Sequence, residues 1–98
     1  MRNQQRSRTL QQVRTTLSPA DVLAAAKDFF AQRSGIYSAF PERTGPTYLT
    51  LRGLGGEEIA IGVAPAGSDT TVSASSYMFD QQVARFLSSL PPASEAVA

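Results

Sequence analysis

Cysteine, histidine and tryptophan are absent from the 98 residues, and lysine occurs once, at Lys27. Without cysteine there is no disulfide, no thiolate nucleophile and no thiolate metal ligand. Without histidine the commonest general base and metal ligand is missing, so Ser-His-Asp and Cys-His constellations cannot be assembled. No apolar run approaches the roughly 20 residues needed to span a bilayer, and the N-terminus lacks the apolar segment of a secretory signal. The expected location is therefore cytoplasmic. What is present, 42% hydrophobic and 17% charged residues, is the composition of a folded globular chain, of a length that suits one domain.

The carboxylates are scattered: Asp21, Asp28, Glu42, Glu57, Glu58, Asp69, Asp80 and Glu95. Glu57 and Glu58 are adjacent, so on a strand they point to opposite faces and cannot act as an acid/base pair. "GLGGEE" lacks the spacing of a phosphate-binding loop and leads into a strand rather than a helix, so it reads as a hairpin turn. "AGSDT" likewise reads as turn chemistry, because G-x-S-x-G is absent. The expectation is a protein that is not an enzyme and uses no metal and no cofactor.

Charge is unevenly placed. Arg2, Arg6, Arg8 and Arg14 lie in the first seventeen residues, which contain no acid and so carry +4. The remainder holds five basic and eight acidic side chains, or −3, which gives the overall +1. A basic arm on a mildly acidic body steers a chain toward anionic surfaces, and Arg2, Arg6 and Arg8 are the candidate contacts for such a partner.

Local signals give an element order. In "SPADVLAAAKDFFAQRSG", Ser18 suits an N-cap, Pro19 the first helical position and Asp21 the positive end of the dipole. Val22, Ala25, Ala26, Phe29 and Phe30 share one helical face, and Gly35 suits a left-handed stop. Four short segments follow, at 36–40, 47–53, 57–64 and 70–78, separated by "PERTGP", "LGG" and "PAGSD". Their alternation predicts an antiparallel meander. "FDQQVARFLSSL" places Phe79, Val83, Phe86, Leu87 and Leu90 in a helical stripe, with Ser75 or Ser76 as cap and Pro91-Pro92 as stop. Residues 9–17 fit a first strand through Thr9, Val13, Thr15 and Thr16, although Leu10, Val13 and Leu17 also suit a helix. The expected fold is α+β: a four- to five-stranded antiparallel meander with two helices on one face, in the order β-α-β-β-β-β-α. Residues 1–8 form a basic flexible arm, 9–90 the single domain, and 91–98 a disordered tail.

This order resembles a single repeat of TATA-binding-protein-like domains. It also resembles a shortened helix-grip domain of the START/polyketide-cyclase kind, "VRTTLSPADVLAAAKDFF" being similar to the first strand and helix of the latter. The resemblance lies in element order over residues 9–90 and carries no functional residues.

If Ile36/Phe40, Leu49/Leu51, Ile59/Ile61/Val63 and Val72/Ala74 face the helices, alternation sends Tyr37, Tyr48, Arg52 and Tyr77 to the opposite face among small residues. Tyrosine and arginine with few other charges are what protein interfaces enrich, although tyrosine and threonine also favour strands anywhere. The expected function is a small protein–protein interaction domain, an accessory or assembly subunit. Its partner is another protein or a second copy, docked on Tyr37, Tyr48, Arg52 and Tyr77. A helix-grip-like binder of a small apolar ligand or lipid is the first alternative. A nucleic-acid module using the arm is the second and less favoured one, since Arg52 is the only cation on that face.

Overall fold

The structure is a computed structural model and describes residues 8–93, with side chains from Leu10 onward. The elements run β1 (Arg8–Thr15), α1 (Pro19–Gln32), a single 3-10 turn (Gly35–Tyr37), β2 (Ala39–Thr44), β3 (Tyr48–Gly53), β4 (Glu58–Ala66), β5 (Asp69–Tyr77) and α2 (Asp80–Ser88). The expected α+β order is therefore present. All strand neighbours are antiparallel, and the sheet order is β1-β5-β4-β3-β2. β2 to β5 form the meander, while β1 adds to its far side along β5, in register from Arg8 opposite Tyr77 to Thr15 opposite Thr70. β1 and β2 thus occupy the two edges, and α1 crosses beneath the sheet to connect them.

α1 begins where its cap chemistry directs. Ser18 has extended backbone and its Oγ accepts from the Asp21 amide at 3.2 Å, while Pro19 stands at the first turn. Val22, Leu23, Ala26 and Phe30 are buried. At its far end the Ser34 hydroxyl donates to the Phe29 carbonyl at 3.0 Å, supplying a donor to one of the last-turn carbonyls. Gly35 is left-handed (φ 57°), but it starts the 3-10 turn rather than ending the helix, which stops at Gln32. In α2, Val83, Phe86 and Leu87 are buried, as are Phe79 before it and Leu90 after it. Its N-cap position is Phe79, not Ser75 or Ser76; the Ser76 hydroxyl instead donates to Asp80 Oδ1 at 3.1 Å.

The core lies between the helices and one sheet face. Leu49, Leu51, Ile59, Ile61, Val63, Val72 and Ala74 point into it, as their alternation predicts. Phe29, Phe30 and Phe86 pack ring to ring with centroids 5.1–5.6 Å apart, joining the two helices.

Three expectations need correction. The segment 36–40 is not a strand with Ile36 and Phe40 facing inward: the 3-10 turn takes residues 35–37, and the strand starts at Ala39. Ala39 is the buried residue, Ile36 is 83% exposed, and Phe40 lies on the open face opposite Arg52. "PERTGP" does not end regular structure at once, because Pro41 to Thr44 belong to β2, where an edge position tolerates the proline and a bulge absorbs Glu42. The chain after Leu90 is anchored at least through Pro92, which bridges Thr15. Residues 94–98 of the expected tail and residues 1–7 of the expected arm lie outside the described residues, and Arg8 already belongs to β1.

Phe30 is fully buried at the centre of the aromatic cluster. Phe30→Ala is expected to cost about 3–5 kcal/mol, and Ser18→Ala about 1 kcal/mol, read as shifts of the urea midpoint.

Candidate functional site

The helices cover one face and leave the other open. Cross-strand pairing orders the open face into rows. One row holds Tyr48, Gly62, Ser73 and Gln12. The next holds Arg43, Thr50, Ala60, Ser75 and Leu10. A third holds Phe40, Arg52 and Glu58, with Tyr77 beyond them on β5.

The four residues expected on this face are not brought together. Tyr48, Arg52 and Tyr77 are on it, but Tyr37 sits in the 3-10 turn, edge-on to Phe79 with ring centroids 6.0 Å apart. Tyr48 and Tyr77 are two strands and four residue steps apart, a separation of about 17 Å at ordinary sheet spacings. They cannot share one stacked base or one small ligand. The Tyr48 ring lies over Gly45 so closely that a Cβ there would collide with it, so this aromatic closes the β2–β3 turn.

Arg52 is held by acids. Its Nη2 donates to Glu42 Oε1 at 2.8 Å and lies 3.9 Å from Glu58, and Nη1 donates to the Gly56 carbonyl at 3.1 Å. The hydrogen bond that Arg52 donates to Glu42, that carboxylate's charge and, more weakly, Glu58 raise the Arg52 pKa above its ordinary value. Two carboxylates thus engage this guanidinium, and Arg43 on β2 lines the same shallow pocket. Arg14 also has a local role: its Nη2 donates to the Ala66 carbonyl at 3.2 Å and lies 3.9 Å from Asp69, tying β1 to the β4–β5 hairpin. Arg2 and Arg6 lie outside the described residues.

A grouping that periodicity did not reveal emerges from topology. The starts of β1, β2 and β4 and the ends of β3 and β5 all lie at one end of the sheet. At or near that end stand seven of the eight exposed large hydrophobics among the described residues: Leu10, Ile36, Tyr37, Phe40, Leu54, Tyr77 and Met78; the eighth, Tyr48, is elsewhere. Phe79 anchors this end from inside, its ring lying where a Cβ on Gly53 would touch it at 3.1 Å. A cleft of about 310 Å³ opens beside it, lined by Tyr37, Met78, Phe79, Asp80, Gln81 and Gln82. Met78 is the one non-glycine residue with positive φ (79°) among the described residues, and it is 70% exposed. An unbranched side chain in that conformation costs on the order of 1–2 kcal/mol.

Among the described residues no cluster of three acidic, histidine or cysteine side chains could hold a metal, and no helix is long and apolar enough to cross a membrane. Comparison with known proteins finds no matching family model, curated protein or solved structure.

Met78→Gly removes the strained side chain from the β5–α2 junction. It is expected to raise stability by about 0.5–1 kcal/mol in urea denaturation, glycine's larger unfolded-state entropy offsetting part of the relief.

Proposed function

We infer that the chain is a small non-enzymatic protein–protein interaction domain, an accessory or assembly subunit, docking through the apolar end of its sheet. The observation that carries this reading is that seven exposed large hydrophobics among the described residues lie at or near that end, spread across the width of the sheet, with a strained Met78 among them. Monomeric proteins seldom leave contiguous apolar surface beyond a few hundred Å² without a partner for it, and aromatic and methionine side chains are favoured at such contacts. The surface proposed from alternation alone keeps Tyr77 and moves away from Tyr48. Tyr37 joins it from the helix side, and Arg52 stands between Phe40 and Tyr77 as a polar element.

The competing readings have less support. The space between sheet and helices, where a helix-grip protein would hold a ligand, is taken by Phe30, Phe86, Leu49, Leu51, Ile59 and Val72, all essentially inaccessible. Arg52 is not the only cation on the open face, since Arg14 and Arg43 share it. Glu42 and Glu58 engage Arg52, however, and Asp69 lies 3.9 Å from Arg14, which leaves a nucleic-acid surface there with less support.

Ile36 and Leu54 are 83% and 76% exposed, so charging them leaves the core untouched. Affinity capture from the native host is expected to retain a partner with the wild-type chain and with Tyr48→Ala, and to lose it with Ile36→Asp/Leu54→Asp. All three should share one urea midpoint to within about 0.5 kcal/mol, as surface substitutions do. An identical retained set for the double variant rejects the apolar end as the docking site.

A further inference from the structure

The pocket around Arg52 is separate from the apolar end. Its volume is about 290 Å³, at the small end of ligand sites, and Glu42, Arg43, Thr50, Arg52 and Glu58 line it. None of the exposed large hydrophobics contributes to it. The bulge in β2 creates the arrangement. Phe40 pairs with Arg52 and Arg43 with Thr50, so both flanks of the bulge belong to the open face, and Glu42 between them reaches Arg52 on that same face. Regular alternation would send one of the neighbours Glu42 and Arg43 to the other side of the sheet. The bulge instead sets opposite charges side by side, the kind of re-aiming that bulges perform next to functional sites.

The bonding capacity of this pocket is only partly used. Arg52 is engaged by Glu42, Glu58 and the Gly56 carbonyl. Among the described residues, the Arg43 guanidinium makes no hydrogen bond or ion pair, and Glu42 accepts from Arg52 through Oε1 alone. Thr50 Oγ1 is buried and has no hydrogen-bond partner within the described protein, a costly state for a hydroxyl. A staggered step about χ1 exchanges that hydroxyl with the methyl group at the pocket surface.

We propose that this pocket binds a small zwitterion of the amino-acid kind, its carboxylate on the Arg43 guanidinium and the Thr50 hydroxyl, its ammonium on Glu42 and Glu58. Charge decides the class. Two arginines and two glutamates line the pocket and their charges cancel, so an ion of one sign gains no net attraction, whereas a molecule carrying both signs finds a complement for each. The parallel N–H groups of a guanidinium match the two oxygens of a carboxylate. Arg43 and Glu58 flank β3 two residues out of step, about 12 Å between Cα atoms at ordinary sheet spacings, a gap that their long side chains and one small molecule fill. This binding and protein docking at the apolar end stand or fall separately.

The test titrates the isotopically labelled full chain with L-alanine at about 50 mM salt, following the Arg43 Nε–H and Thr50 amide signals by NMR. Propionate and ethylammonium, each lacking one of the two charges, are the controls. Saturable shifts at both signals with a Kd of about 1 mM are expected, and either fragment should bind at least about tenfold more weakly. Arg43→Gln should weaken L-alanine at least about tenfold. Glu42→Gln should weaken L-alanine yet strengthen propionate, a reversal that damage to the fold cannot produce. Both side chains are exposed, so each variant should keep the wild-type urea midpoint. No saturable shift at about 20 mM L-alanine overturns the proposal. Propionate binding as tightly as L-alanine also overturns it, assigning the pocket to anions alone, and equal binding of ethylammonium overturns it in favour of cations.

Discussion

Two helices can cover only one face of a five-stranded sheet, and most of the molecule's surface character follows from that limit. α1 and α2 have 14 and 9 residues, which is about 21 and 14 Å of helix. Five strands are about 19 Å from first to last. α1 therefore lies over the β2–β4 side and α2 over β5 and β1, with the three phenylalanines filling the junction between them. Among the described residues nothing remains to cover the opposite face. Its residues are accordingly small or polar over the centre, at Thr50, Ala60, Gly62, Ser73 and Ser75, where an exposed apolar surface would be a liability.

Where neighbouring residues alone decide the local structure, the elements were legible in the sequence. The first helix carried its own cap, its own apolar face and Pro19 at its start. β3, β4 and β5 alternate cleanly because one face of each is buried. The failures sit where local chemistry had two uses. Gly35 adopts the left-handed conformation expected of it, yet spends it on a 3-10 turn that consumes Ile36 and Tyr37 before any strand begins. That shift reverses the parity of Phe40 and takes Tyr37 off the open face. Pro41 suggested a break, but a proline on an edge strand forfeits no ladder bond if its nitrogen faces outward.

The candidate site was less legible than the fold, because it is assembled by topology rather than by periodicity. Leu10, Ile36, Leu54 and Met78 come from four separate segments, and no sequence window contains more than a fragment of the group. Tyr48 stood out for its residue type, yet its ring is used on Gly45. The one signal that could have found the apolar end is negative: Ile36, Leu54 and Met78 are large hydrophobics beside turn residues, where burial is hard to arrange. Met78 adds a physical indication, since a long side chain at positive φ costs stability that a glycine in the same turn would not.

The arginines at the start of the chain separate by the same reasoning. Arg14 is a structural tie, reaching the Ala66 carbonyl and the buried Asp69 and so fastening β1 to a hairpin that it does not directly follow in sequence. Removing its charge would weaken the pairing of a carboxylate held in a poorly solvated position, a penalty of stability rather than of recognition. Arg8 opens a strand that is already secured through Val13, Thr15 and the eight-position register with β5. The backbone of β1 thus rests on the ladder with β5 and on Arg14 at its far end, while the opposite edge, β2, is blunted by Pro41 and the bulge at Glu42.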